Sequence, residues 1–336
     1  MSTPIALFDY DLPKEFIAQA PTEPRDHSRL MVLDRALGSI KHHRFFEIID
    51  YLNAGDVLVF NNTKVFKARL KPIPTSPWKG EEIFLLREQN GLWEALARPG
   101  KTLLRGSVIS FGSIEALVKE KREDGTVMLD FGVSKEQVLA FCEQHGEVPI
   151  PPYVEKTSAA SENYQTVYAK TVGAVAAPTA GFHFTEELLE RLKQKGVQIE
   201  FVTLHVGLGT FLPVKSATLE EHKMHAEFVE VEQGTSDRIL AAKREGRRII
   251  AVGTTVVRTL EATEAKPYSG DVNIFIMPGY QFKVIDAMIT NFHLPKSTLL
   301  ALVSAFALRE FMLSAYEQAK VHGYRFYSFG DAMFIH

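Results

Sequence analysis

The sequence predicts an α/β protein, α+β overall, in which a discontinuous layered α/β domain carries a small inserted β-rich domain. Three observations predict this. Short β-prone runs broken by glycine and proline fill the stretch from Asp56 to Phe131, helix-then-strand units follow Ser161, and Phe8 to Phe60 does not read as a free-standing unit. The expected division is 1–60 with 154–336 for the α/β domain and 61–153 for the insertion. A chain of 336 residues exceeds a typical single-domain length, which makes two domains the natural expectation.

The β-rich runs are Val57 to Phe60, Ile83 to Glu88, Leu92 to Ala97, Val108 to Phe111 and Thr126 to Phe131. They are punctuated by Pro72, Pro74, Pro77, Gly80, Gly91, Pro99, Gly106 and Gly125. Closely spaced short strands of this kind suggest a small sandwich or barrel. A helix is expected over Lys135 to Gln144, and Pro149, Pro151 and Pro152 mark a linker. Thr185 can cap a helix running to Lys195, with Glu186 and Glu187 in the first turn, where the helix dipole favours them. Gly196 ends that helix before a strand from Val197 to His205. The same rhythm recurs with a helix over Thr235 to Glu245, a stop at Gly246 and a strand over Arg248 to Val252.

The composition, 46% hydrophobic and 24% charged, describes a soluble globular chain able to bury a substantial core. Cys142 is the single cysteine, which excludes an intrachain disulfide and any multi-cysteine zinc site and fits a reducing, cytoplasmic compartment. The N-terminal MSTPIALFDYDLP lacks a basic region and a long apolar stretch, so no signal peptide is expected. The apolar run from Thr298 to Leu308 is too short to cross a bilayer, and no membrane partner is expected.

A net charge of −3 does not advertise nucleic acid, yet the basic residues cluster. Lys64, Lys67, Arg69, Lys71 and Lys79 occur without an intervening acid. Arg25, Arg29, Arg35, Lys41 and Arg44 outnumber Asp26 and Asp34, and Lys243, Arg244, Arg247 and Arg248 form a third group. A phosphate backbone needs cations only where it touches, so these stretches suit RNA as well as they suit solvated faces.

The chemistry-bearing segments combine glycine, threonine and histidine. VAAPTAGFHF (Val175 to Phe184) contains Thr179, Gly181 and His183. LHVGLGTF (Leu204 to Phe211) contains His205, Gly207, Gly209 and Thr210. Glycine suggests backbone brought close to a ligand, and histidine supplies proton chemistry near neutral pH. The plain alternative is a pair of tight turns whose histidines satisfy buried hydrogen bonds. Ile249 to Val252 reads as a strand, Gly253-Thr254-Thr255 as a turn and Val256 to Ala265 as a helix. Such a junction offers unpaired N–H groups to an anion or carboxylate. Arg258 and Glu261 lie three apart on that helix and could bind substrate or pair with each other. NFHLPKSTLL (Asn291 to Leu300) forms a second junction, with His293 and Lys296 beside a helix capped by Ser297. No dinucleotide or nucleoside-triphosphate loop is present. His222 and His225, taken with the other histidines, raise a metal site, but HExxH is absent and no bound metal is expected.

These segments together resemble the S-adenosylmethionine:tRNA ribosyltransferase-isomerase family of queuosine biosynthesis. The resemblance runs nearly end to end through FDYDLPKEFIAQAP, RDHSRLMVLDR, LVFNNTKVFKARL, PIPPYV, YQTVYA, VAAPTAGFHF, TLHVGLGTF, HKMHAE, AVGTTVVRTLE, TNFHLPKSTLLALVSAF and YRFYSFGDAMFI. Lys64 stands where arginine is frequent, Phe66-Lys67 where an aliphatic residue and proline are frequent, and Phe182 where leucine is usual. The resemblance implies an α/β domain with an inserted antiparallel β-barrel. It also implies a cytoplasmic transferase that uses S-adenosylmethionine as ribosyl donor, with no other cofactor, and acts as a monomer.

The implied acceptor is 7-aminomethyl-7-deazaguanine (preQ1) at the wobble position of tRNA with a GUN anticodon, and the products are epoxyqueuosine-tRNA, adenine and methionine. Proton transfers then fall to His183, His205 and His293. Substrate contacts fall to Thr179, Gly181, Gly207, Gly209, Thr210, Gly253, Thr254, Thr255, Arg258, Glu261, Lys296 and Ser297. Contacts to tRNA fall to Arg25, Arg29, Lys64, Lys67 and Arg69. Two other readings stand beside this one. A metal-dependent hydrolase would use the histidines without RNA, and a non-catalytic RNA-binding protein would use the basic stretches alone.

Overall fold

The computed structural model describes residues 2–149, 154, 164–207 and 216–336. The chain forms two compact units, one of Met1–Thr63, Pro152–Thr171 and Pro178–His336, the other of Lys64–Pro151 and Val172–Ala177.

The strands, in chain order, are β1 (Arg29–Asp34), β2 (Ser39–Arg44), β3 (Val57–Asn61), β4 (Thr63–Val65), β5 (Arg69–Leu70), β6 (Glu82–Gln89), β7 (Leu92–Arg98), β8 (Val108–Ser110), β9 (Glu115–Lys121), β10 (Val127–Asp130), β11 (Thr171–Ala174), β12 (Gln198–Leu204), β13 (Glu227–Val231), β14 (Ile249–Val252), β15 (Tyr268–Val272), β16 (Ala287–Asn291) and β17 (Ala332–Ile335).

In the first unit a nine-stranded sheet has the order β15-β13-β12-β3-β14-β16-β17-β1-β2. The pairs β12–β3, β3–β14, β14–β16 and β17–β1 are parallel, and β16–β17 is antiparallel. The central strands are apolar at nearly every position because both faces are covered, so alternate residues enter opposite cores. Met31, Val57, Val59, Ile249 and Ala251 pack on one side with residues of the helices Gln233–Arg244, Thr254–Thr263, Thr298–Ala307 and Arg309–Val321. Leu30, Leu58, Phe60, Ile250 and Val252 pack on the other with Phe45, Ile48 and helix Glu186–Gln194. This is the mixed α/β layer expected from the helix-then-strand rhythm. Thr185 caps its helix as the sequence suggests, its hydroxyl accepting from the Leu188 N–H at 3.1 Å.

The second unit holds an antiparallel sheet in the order β5-β6-β7-β10-β9-β8. The segment after β5 turns back onto β8, with Ile73 N–H donating to Ser110 O at 3.0 Å and Trp78 N–H to Val108 O at 3.3 Å. The sheet thereby curls toward closure, a small barrel-like domain filled by Leu70, Ile83, Leu85, Ala95, Ile109, Ala116 and Leu129. The expected helix after it spans Lys135–His145, with Ser134 and Gln137 forming a reciprocal capping box. Cys142 is a buried free thiol on this helix. Among the described residues no single helix is long and apolar enough to cross a membrane.

The topology decides where chemistry can gather. Because β12, β3, β14 and β16 run parallel, their carboxyl ends share one edge, the edge where open α/β sheets bind ligands. β17 opposes β16 and β1 follows β17, so the amino ends of those two strands reach the same edge. The ends carry His205, Asn61, Gly253 and Asn291, and the entries carry the 325–331 turn and Ser28.

Candidate functional site at the sheet edge

The best-defined cluster centres on His183, at the end of a 3₁₀ turn Thr179–His183. The imidazole is buried and stacks on Phe45 with ring centroids 5.0 Å apart. Its Nδ1 lies 2.8 Å from Ser28 Oγ and its Nε2 lies 3.1 Å from Asn291 Nδ2. The Asn291 amide orientation follows from its other partners. Its Nδ2 also donates to Tyr327 O at 3.2 Å, which only an amine can do, while its Oδ1 accepts from Thr179 Oγ1 at 3.2 Å. Nε2 of His183 is therefore an acceptor, Nδ1 carries the proton, and Ser28 Oγ receives it. Burial, reinforced by Arg325 and Arg25, lowers the His183 pKa to about 3, so the ring is neutral at physiological pH.

Tyr327 has φ +74, a conformation rare for a bulky residue. It is held there by hydrogen bonds from its N–H to Phe292 O and from Gly330 N–H to its carbonyl. That same carbonyl aims Asn291, so the strained turn and the histidine tautomer are parts of one device. Asp331 closes the turn, its carboxylate accepting the backbone N–H groups of Arg29 and Arg325 at 2.8 and 2.7 Å.

A second cluster forms at β3, β12 and β14. Asn61 Oδ1 accepts from the N–H groups of Leu204 and Thr63, and its Nδ2 donates to Leu204 O and, at 3.4 Å, to Thr255 Oγ1. It thus ties three strand ends together. His205 leaves β12 half-buried, with Nδ1 2.8 Å from Thr63 Oγ1 and its ring stacked on Phe228. Gly253 has φ +94, which requires glycine, and helix Thr254–Thr263 starts directly after it with no side-chain cap. Gly207 N–H donates to Glu227 Oε1 at 3.1 Å, and the other oxygen of Glu227 pairs with Arg258. Arg258 is buried, yet among the described residues its Nε and Nη2 meet no partner.

Other predicted positions resolve differently. Arg258 and Glu261 do not pair with each other. Glu261 instead accepts the backbone N–H groups of Lys283, Val284 and Ile285 and the Tyr280 hydroxyl, because that loop's donors face the helix. Gly181 is required by Tyr168, since a Cβ there would lie 1.8 Å from its hydroxyl. Ser297 caps helix Thr298–Ala307 through the Leu300 N–H, and Lys296 pairs with Asp9 at 2.7 Å. His293 is buried, its Nε2 3.0 Å from Thr290 Oγ1, and desolvation lowers its pKa to about 3. Gly209 and Thr210 lie outside the described residues.

The basic stretches are unequal. Lys64 is exposed, whereas Lys67 pairs with Glu143 and Arg69 with Glu82 and Glu147. Arg25 donates to Gln165 O and lies over the Phe182 ring, and Arg29 donates to His322 O. Lys243, Arg247 and Arg248 are engaged by Asp286, Glu245 and Asp56. Among the described residues no group of His, Cys, Asp and Glu is placed to hold a metal ion.

Sequence reading missed Ser28, Asn61, Asn291, Glu227 and Tyr327. Asn61 had a visible signal, a polar residue ending the apolar run VLVF, but the partners of the others are set only by strand order.

A crystal structure of an S-adenosylmethionine tRNA ribosyltransferase from Thermotoga maritima is 39% identical to this chain. The match covers 98% of this chain and 100% of that one, with a TM-score of 0.57. The family model described as queuosine biosynthesis protein matches residues 5–335, and the chain belongs to that family.

Proposed function

We propose that this chain transfers and isomerises the ribosyl moiety of S-adenosylmethionine onto 7-aminomethyl-7-deazaguanine at the wobble position of tRNA with a GUN anticodon. The products are epoxyqueuosine-tRNA, adenine and methionine. The protein works as a cytoplasmic monomer with S-adenosylmethionine as co-substrate and no further cofactor. The observation that carries this reading is the family match from residue 5 to residue 335, joined to a full-length likeness to an S-adenosylmethionine tRNA ribosyltransferase.

The reaction begins with removal of a proton from the 5′ carbon beside the sulfonium. The aminomethyl nitrogen bonds to the ribosyl carbon skeleton, adenine departs with its bonding pair and gains a proton, and methionine leaves as a neutral thioether as the epoxide closes. Proton transfers fall among His183, His205 and His293. His205, the least buried of the three, is favoured for the exchange. The engagement of both His183 nitrogens favours a positioning role for that ring in the resting state. Two nitrogens of buried Arg258, Nε and Nη2, unpartnered among the described residues, suit a carboxylate, here the methionyl carboxylate, near the uncapped helix start at Thr254 and Thr255. Arg25, Arg29, Lys64, Lys67 and Arg69 serve the tRNA in this reading, with Lys64 the most available.

The test follows adenine release from S-adenosylmethionine with modified tRNA present. His205→Ala is expected to abolish release. Near-normal turnover in alanine variants of all three histidines contradicts their assignment, and activity lost on chelation would favour the metal-dependent alternative.

A further inference from the structure

Beside His183 lies a small pocket lined by Thr22, Arg25, Ser28, Phe182, His183 and Phe329, among others, and none of its lining residues is acidic. Its chemistry is set by one proton. Asn291 forces His183 to donate from Nδ1, and Ser28 Oγ spends a lone pair on that bond. The Ser28 N–H donates to Arg25 O and its C=O accepts from Phe45 N–H, so its remaining group is the hydroxyl proton. Among the described residues no acceptor meets that proton, although Ser28 is 2% exposed. A buried donor without an acceptor costs free energy, which an incoming acceptor recovers.

The walls narrow the choice of occupant. Phe182 and Phe329 are close to parallel, 21° between planes with centroids 5.9 Å apart, and the Arg25 guanidinium lies 5.1 Å from the Phe182 ring centre. Aromatic walls with a guanidinium lying over one of them favour a flat, electron-rich ring. We propose that this pocket takes the hydrogen-bond-acceptor edge of a flat nitrogen heterocycle, with the Ser28 hydroxyl as its donor. Resting on the ribosyltransferase reading, two heterocycles qualify, the adenine of S-adenosylmethionine and the wobble base of the tRNA.

Steady-state kinetics with both substrates varied tests this on the full chain. Ser28→Ala is expected to raise one KM about 3- to 10-fold, beyond any fall in kcat that comes from loosening His183, and Ser28→Thr to restore that KM. A rise confined to S-adenosylmethionine identifies adenine as the occupant, and a rise confined to tRNA identifies the wobble base. Unchanged KM values, or a fall in kcat alone, overturn the proposal while wild-type turnover leaves the functional reading standing. An inactive wild type under the same assay instead defeats that reading. Should Ser28→Ala fail to fold, the His183 ring ¹⁵N resonances of wild type are followed during titration with free adenine and with free 7-aminomethyl-7-deazaguanine. A shift with either supports the pocket, and a shift with neither overturns it.

Discussion

Asn291 Nδ2 stands 3.1 Å from His183 Nε2, and this contact makes the buried imidazole an acceptor on one side and a donor to Ser28 on the other. Residues far apart in sequence meet there because β16, β17 and β1 are neighbours in the sheet. Replacing Asn291 with aspartate puts a carboxylate where an amine stood. The opposite charge favours imidazolium, so the His183 pKa should rise from about 3, and the tautomer should reverse. Imidazole ¹⁵N shifts across a pH titration measure this directly. Turnover near pH 7.5 should fall by roughly 10²-fold, the scale of losing a positioned group.

The two buried histidines also set an acid limit on stability. His183 and His293 both have folded-state pKa values lowered to about 3, beneath the ordinary 6.5. Between those values the unfolded chain binds protons that the folded chain refuses. Their contribution is therefore full above about pH 6.5 and is lost as pH falls toward 3. Calorimetry from pH 7 to pH 5 should show a falling Tm, and His293→Gln should flatten that fall. An identical slope in the variant contradicts the assignment.

Arg258 and Glu227 form an ion pair with both side chains about 5% exposed. Removing one partner strands a buried charge, so Arg258→Met should cost about 3–5 kcal/mol in urea unfolding. The double variant Arg258→Met with Glu227→Gln should recover part of that loss. S-adenosylmethionine should stabilise wild type in the same experiment and Arg258→Lys less, because lysine cannot present two parallel donors.

Lys64 and Arg69, at the start of the second unit, should separate by their partners. Lys64→Ala is expected to weaken tRNA binding and to reduce the salt-dependence slope by about one unit. Arg69→Ala should act mainly on stability, since that guanidinium holds Glu82 and Glu147. Fluorescence binding at several salt concentrations, beside thermal melts, distinguishes the two.

Legibility followed local physics. Helix starts at Thr185 and Ser297 were readable because a hydroxyl before an apolar run caps within three residues. The Gly253 turn was readable because a positive φ selects glycine. β2 was hidden because Ser39–Arg44 is a largely polar edge strand, β1 because its apolar run Leu30–Leu33 is only four residues long, and β17 because it lies at the end of the chain although it sits inside the sheet. Gly181 showed the limit of the glycine argument, its close neighbour being Tyr168. The partners of His183 and the engagement of Glu261 by the loop at Lys283 depend on strand order and loop path, which local patterning does not encode.

Everything assigned to these residues depends on the ribosyl transfer taking place. Purified protein incubated with S-adenosylmethionine and tRNA bearing 7-aminomethyl-7-deazaguanine, with the digested nucleosides resolved by mass, tests it most directly. The expected result is epoxyqueuosine in the tRNA with adenine and methionine released in equal amounts. A methylated nucleoside, or tRNA unchanged by protein shown to be folded, would contradict it.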